Sequence, residues 1–178
     1  MKADYIALFR GINVGGKNSL PMKALVQTLE QNGYTGIKTY IQSGNIVFQS
    51  TAAKAATYTR IIGEAIMNWV PTWHRGVKRQ KLKEAADANP FPKAEAESKS
   101  VHLYFLAKTP KDPDLEALNR LKSGKESFKL MDDVFYLHAP DGIGRSKLAA
   151  RAEKLIGVEA TARNWNTVTK LLEMAHIR

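Results

Sequence analysis

At 178 residues, with 44% hydrophobic and 25% charged side chains, the chain has room for one large domain or two small ones, and its composition is globular, not disordered. The absence of cysteine excludes a disulfide framework, a thiolate metal site and a cysteine nucleophile. The net charge of +10 sits mainly in residues 1–90, with 12 Lys and Arg against 5 Asp and Glu; residues 91–178 hold 15 against 12, and such a basic balance favours phosphate-bearing partners.

Tyr5 to Phe9 alternates and is expected to form a strand. A glycine-rich loop follows from Gly11 to Ser19, and Pro21 sits where the first turn of a helix tolerates it. Met22, Leu25, Val26 and Leu29 then recur at helical spacing, and Asn32-Gly33 ends that helix. Ile37 to Ile41 and Ile46 to Gln49 read as strands around the turn Ser43-Gly44-Asn45. Tyr58, Ile61, Ile62, Ala65, Ile66 and Trp69 mark a second amphipathic helix, stopped by Val70-Pro71. Trp73 to Lys78 is a weak fourth strand; a short helix over Lys81–Ala88 leads into a linker at Asn89-Pro90-Phe91-Pro92.

The order then repeats. Val101 to Ala107 is an apolar strand, Leu115, Leu118 and Leu121 mark a helix, and Ser127–Met131 and Val134–His138 are strands around the tight turn Asp132-Asp133. Lys147 to Ile156 is a helix capped by Gly157, Glu159 to Arg163 a short strand, and Val168, Leu171, Leu172 and Ala175 a closing helix. The expected fold is therefore α+β: two tandem ferredoxin-like (βαββαβ) halves, residues 1–92 and 98–178, with an extra C-terminal helix. The halves share element order but no visible motif.

Four segments are more polar than turns require. Arg10 to Asn18 combines Gly11, Gly15 and Gly16 with Arg10, Asn13, Lys17 and Asn18, a chemistry suited to an anion. It nearly matches the phosphate loop G-x-x-x-x-G-K-[ST], but Asn18 stands where a hydroxyl should reach magnesium, and the helix begins too late to hold phosphates. Gln42, Ser43 and Asn45 surround Gly44 in a turn that hairpin chemistry alone explains, unless it folds beside the first loop. Pro140 to Lys147 opens a helix with Arg145, Ser146 and Lys147; Asp141 or Ser146 suffices as a cap, whereas basic residues are unfavourable at the positive helix end and suit a bound anion. Arg163, Asn164, Trp165 and Asn166 follow; one asparagine can cap the last helix, and Trp165 is a stacking surface or a packing anchor.

The four histidines, at 74, 102, 138 and 176, show no metal-ligand spacing, and His102 and His138 are placed to meet within a sheet. No paired carboxylates accompany the polar segments, and Ser43 and Ser146 lack a sequence-evident base. The residues nominate no catalyst, metal or cofactor. The N-terminus carries charges at Lys2, Asp4 and Arg10, so no signal peptide is expected; no apolar run approaches the roughly 18 residues of a spanning helix, and the cytoplasm is the expected location.

Arg10 to Lys17 (R-G-I-N-V-G-G-K), Tyr40 to Phe48 (Y-I-Q-S-G-N-I-V-F), Gly142 to Leu148 (G-I-G-R-S-K-L) and Thr161 to Val168 (T-A-R-N-W-N-T-V) resemble, in order, the signature blocks of a bacterial family, domain of unknown function 1697. Ile46 stands where the family usually has Val. The resemblance implies a duplicated ferredoxin-like fold and no established activity. The expected function is binding of an anionic, phosphate-bearing small ligand such as a nucleotide at the junction of the halves. The alternatives are nucleic-acid binding through phosphate contacts and an enzyme acting on a phosphorylated small molecule, with Lys17 or Lys147 stabilising developing charge. Against RNA recognition, Gly44 to Phe48 lacks the aromatic spacing of a base-stacking strand.

Overall fold

The computed structural model describes residues 2–13, 19–51 and 74–175. The expected helix from Tyr58 to Trp69, and Lys17 and Asn18 of the first loop, lie outside the described residues. The chain forms two compact units, Met1–Glu84 with Lys170–Arg178, and Ala85–Thr169. It is an α+β protein with two antiparallel sheets.

The first unit contains β1 (Lys2–Phe9), α1 (Met22–Gln31), β2 (Thr35–Tyr40), β3 (Asn45–Thr51) and β4 (His74–Lys78), with the strands in the order β2-β3-β1-β4. Pro21 precedes α1, and the helix buries Leu25 and Leu29 against Tyr5, Phe9, Ile46 and Phe48 of the sheet. Each buried leucine contributes about 1.5–3 kcal/mol. Tyr34 meets Phe48 edge-on at 5.2 Å between ring centres, and Tyr5 stacks on the same ring at 5.9 Å. Pleating sends Ile6 and Leu8 to the other face of β1, where both are also fully buried.

The boundaries of the second unit fall within α2 (Arg79–Asp87) and α5 (Trp165–Met174). Between them run a 3-10 turn at Pro92–Glu97, β5 (Val101–Leu106), α3 (Leu115–Leu121), β6 (Ser127–Met131), β7 (Val134–His138), a 3-10 turn at Ile143–Arg145, α4 (Lys147–Ile156) and β8 (Ala160–Asn164). The sheet order, β6-β7-β5-β8, repeats that of the first sheet position for position. α3 starts on Asp114, whose side chain accepts from the Ala117 N–H, and packs Leu118 into a core with Leu106, Phe135, Leu137, Leu148 and Ile156. α4 is held by Ser146 at its start and by left-handed Gly157 at its end. Tyr136 donates its hydroxyl hydrogen to the Ala85 carbonyl at 2.8 Å, which ties the end of α2 to this sheet. Among the described residues no helix is long and apolar enough to cross a membrane.

Several boundaries differ from the sequence reading. β2 runs over Thr35–Tyr40 rather than 37–41, because Ile41 turns left-handed (φ 50°) and leaves the ladder 54% exposed. The presumed linker continues as helical turns at Pro92–Glu97. β8 runs directly into α5, with Asn164 as its last residue.

His102 and His138 do not meet. His138 opposes Val101 and His102 opposes Leu137, so the two side chains stand on opposite faces of the sheet. His102 is 7% exposed, its ring hydrogen-bonds the Lys99 backbone, and among the described residues its Nε2 has no partner. Burial holds its pKa below the ordinary value of about 6.5, so the unfolded chain binds the proton more readily. The stability from neutral His102 is complete above the unfolded pKa and is lost as pH falls through the lower folded pKa. Wild-type urea midpoints are therefore expected to fall below pH 6.5, and His102→Gln to flatten that fall. Equal pH slopes in both proteins would refute this assignment.

Candidate functional site

In the first unit Asn13, from the described start of the first loop, meets the Gln42 turn. Asn13, at a left-handed φ of 53°, donates from Nδ2 to the Leu20 carbonyl at 2.9 Å and accepts the Leu20 N–H on Oδ1 at 2.8 Å. The same Nδ2 donates to the Gln42 carbonyl at 2.8 Å. Asn13 thus ties Leu20 to the neighbouring turn. Ile12 and Leu20 are both fully buried. Arg10, just after β1, is half-buried.

Asn45 is fully buried and donates from Nδ2 to the Tyr40 carbonyl and to Ser43 Oγ, both at 3.2 Å. It therefore braces the turn from within. Gln42 is exposed and contributes its backbone carbonyl to the Asn13 clamp. Phe9 donates its N–H to the Gly44 carbonyl at 2.8 Å, which locks the turn against the end of β1.

In the second unit a cleft of about 580 Å³ opens beside the start of α4. Arg120, Arg145, Ser146 and Lys147 line it, together with two carboxylates, Glu126 and Asp141. Ser146 Oγ accepts the Ala149 N–H at 2.9 Å and leaves its own hydroxyl hydrogen free of that bond. Ser146 and Lys147 line the cleft, so the positive end of the α4 dipole lies at its wall. Arg145 and Lys147 are exposed, and among the described residues neither is in a salt bridge. Arg120 is 3.6 Å from Glu116 one turn earlier, an exposed pair of little strength.

Glu126 is 7% exposed and accepts the Ser123 N–H on Oε2 at 2.8 Å, while its own N–H returns to the Ser123 carbonyl at 3.1 Å. Asp141 pairs with Lys125 at 3.2 Å on the surface. Arg120 and Glu126 escaped the sequence reading. Arg120 is indistinguishable there from a solvated helix charge. Ser123-x-x-Glu126 has capping-box spacing, a signal for a turn and not for a cleft.

The Arg163–Asn166 segment does not line this cleft. Arg163 donates to the Ala162 carbonyl at 2.8 Å, and burial draws its guanidinium down to about 10, which leaves it charged at neutral pH. Asn164 points to the opposite face and caps α5 by accepting the Thr167 N–H at 2.9 Å. Trp165 is 8% exposed, as a packing anchor would be. Asn166 is exposed and donates its backbone N–H to the Ser98 carbonyl. Among the described residues no cluster of three or more His, Asp or Glu side chains is arranged to hold a metal ion.

The solved structure of conserved bacterial protein SP0830 from Streptococcus pneumoniae superposes on 98% of this chain and 99% of its own, with a TM-score of 0.64 and 21% identity; at that identity the likeness is one of fold. No curated protein matches the chain. The family described as "Protein of unknown function (DUF1697)" matches residues 1–136, a stretch that includes Arg120 and Glu126 of the cleft but ends before Asp141, Arg145, Ser146 and Lys147.

Proposed function

The chain belongs to the DUF1697 family of proteins of unknown function, and from that premise we propose that it binds a phosphate-bearing small ligand in the cleft at the start of α4. The observation that carries this reading is the placement of Arg145 and Lys147, two exposed cations that are in no salt bridge among the described residues, at the start of a helix on the wall of a cavity of about 580 Å³. Arg120 adds a third positive group, and Ser146 can donate its hydroxyl hydrogen to a phosphate oxygen. A volume of this size accommodates a mononucleotide or a sugar phosphate. In the first unit the side chains of Asn13 and Asn45 are engaged by backbone groups and by Ser43, so the reading rests on the second unit. No residue is assigned to catalysis.

The scaffold is read as two tandem ferredoxin-like plaits, residues 1–92 and 98–178, with α5 as a closing helix. The common strand order, β2-β3-β1-β4 and β6-β7-β5-β8, supports this, although the compact units divide after Glu84 and return Lys170–Arg178 to the first. The same topology serves RNA recognition elsewhere by stacking bases on an open sheet face. Here β5 is buried at every position, and β1 is buried on both faces from Tyr5 to Phe9, which favours the small-ligand reading.

Thermal-shift titration with inorganic phosphate, nucleoside monophosphates and sugar phosphates tests the proposal. A ligand at 100 times its Kd stabilises by about 2.7 kcal/mol, a readily measured rise in Tm. Arg145→Ala with Lys147→Ala should weaken binding at least about ten-fold, since each charge-assisted contact contributes about 1.5–3 kcal/mol. A wild-type Tm that no phosphate compound moves at millimolar concentration would refute the assignment.

A further inference from the structure

Besides its cations, the α4 cleft contains Glu126. We infer that its ligand is an amine-bearing phosphomonoester, with the phosphate at Arg145, Lys147 and the start of α4 and the ammonium group at Glu126; the inference rests on the anion-site reading of the same cleft.

A site for a bare anion gains nothing from a carboxylate in its wall. A phosphate dianion and a carboxylate sharing a partly desolvated cavity repel each other, and burial strengthens that repulsion. Glu126 is nonetheless 7% exposed and held in place by the reciprocal backbone bonds to Ser123, so it does not swing out into solvent as a surface glutamate can. The Ser123 N–H engages Oε2, and a carboxylate has lone pairs on both oxygens to offer further donors. Asp141 supplies a second negative group in the lining, loosely paired with exposed Lys125. The lining therefore presents both signs of charge: Arg120, Arg145 and Lys147 on one hand, Glu126 and Asp141 on the other. A ligand of matching polarity satisfies both, and a ligand with phosphate alone leaves a buried carboxylate facing it. The second charge thus acts as a selectivity element, rejecting phosphates that lack the amine.

The test is calorimetric titration of the full chain with ω-aminoalkyl phosphates of two to six carbons, each against the alkyl phosphate of the same length, with inorganic phosphate alongside. The flexible series samples a range of phosphate-to-ammonium separations. The expected result is at least ten-fold tighter binding of one or more amino compounds than of their plain partners. Glu126→Gln, whose amide oxygen still accepts the Ser123 N–H, should erase that preference and leave plain alkyl phosphates bound as well as before or better. Equal binding of amino and plain phosphates to the wild type, or a preference that survives in Glu126→Gln, overturns the inference and leaves the anion site standing. Failure of every phosphate, inorganic phosphate included, overturns both.

Discussion

Gly44→Ala is expected to destabilise the first unit by at least ~3 kcal/mol, through overpacking and backbone strain combined. Gly44 lies at φ +77°, a left-handed conformation that a side chain disfavours. A Cβ built there would stand 2.5 Å from Ile12 Cδ1 and 2.6 Å from Phe9 Cβ. The Ile12 side chain could shift only within a full core, since both Ile12 and Phe9 are wholly buried. Phe9 Cβ is fixed by its own strand, whose N–H is bonded to the Gly44 carbonyl. The variant must therefore move the turn as a body and break that bond. Urea denaturation followed by circular dichroism measures the effect, and a loss below 1 kcal/mol would show that the turn yields more easily than this geometry allows.

Asn13→Ala is expected to cost about 2–4 kcal/mol, because one side chain serves three backbone groups. Removing it leaves the N–H and carbonyl of buried Leu20 without the amide that satisfies them, and releases the Gln42 carbonyl. It also puts alanine at φ 53°, where asparagine is tolerated far better. Asn13→Asp separates the contributions. The aspartate still accepts the Leu20 N–H but turns an oxygen towards two carbonyls, so it should be destabilised nearly as much as alanine despite its similar shape. Asn13→Gly relieves the backbone strain alone, and the difference between glycine and alanine at this site measures that strain. If aspartate proves as stable as wild type, the amide donor is not what ties Leu20 to the Gln42 turn.

Much of the scaffold could be read directly from the chain. The apolar spacing of Met22, Leu25 and Leu29 marks α1, the apolar run from Val101 marks β5, and Asp132-Asp133 marks the turn between β6 and β7. Such features arise from neighbours within a few residues, where periodicity and turn chemistry act. The polar segments were also visible as departures from scaffold composition. Their roles were not, because these depend on what lies far along the chain. Asn13 and Gln42 are 29 residues apart, and their bond exists only once β1 and β3 have paired. Ile41 is driven into a left-handed conformation by the turn that pairing demands, against its own preference for a strand.

The same distinction runs through the cleft. Ser146 as the cap of α4 is a local matter, since a hydroxyl one residue before a helix meets the third N–H beyond it by geometry alone. That Arg120, Glu126 and Arg145 share one cavity is decided by the packing of α3 against α4 and by the reciprocal Ser123–Glu126 turn. Helical period and turn preference reside in consecutive residues. The convergence of charges from separate elements follows from burial of Leu118, Leu148 and Ile156 in one core, a long-range apolar contact that no single stretch of the chain encodes.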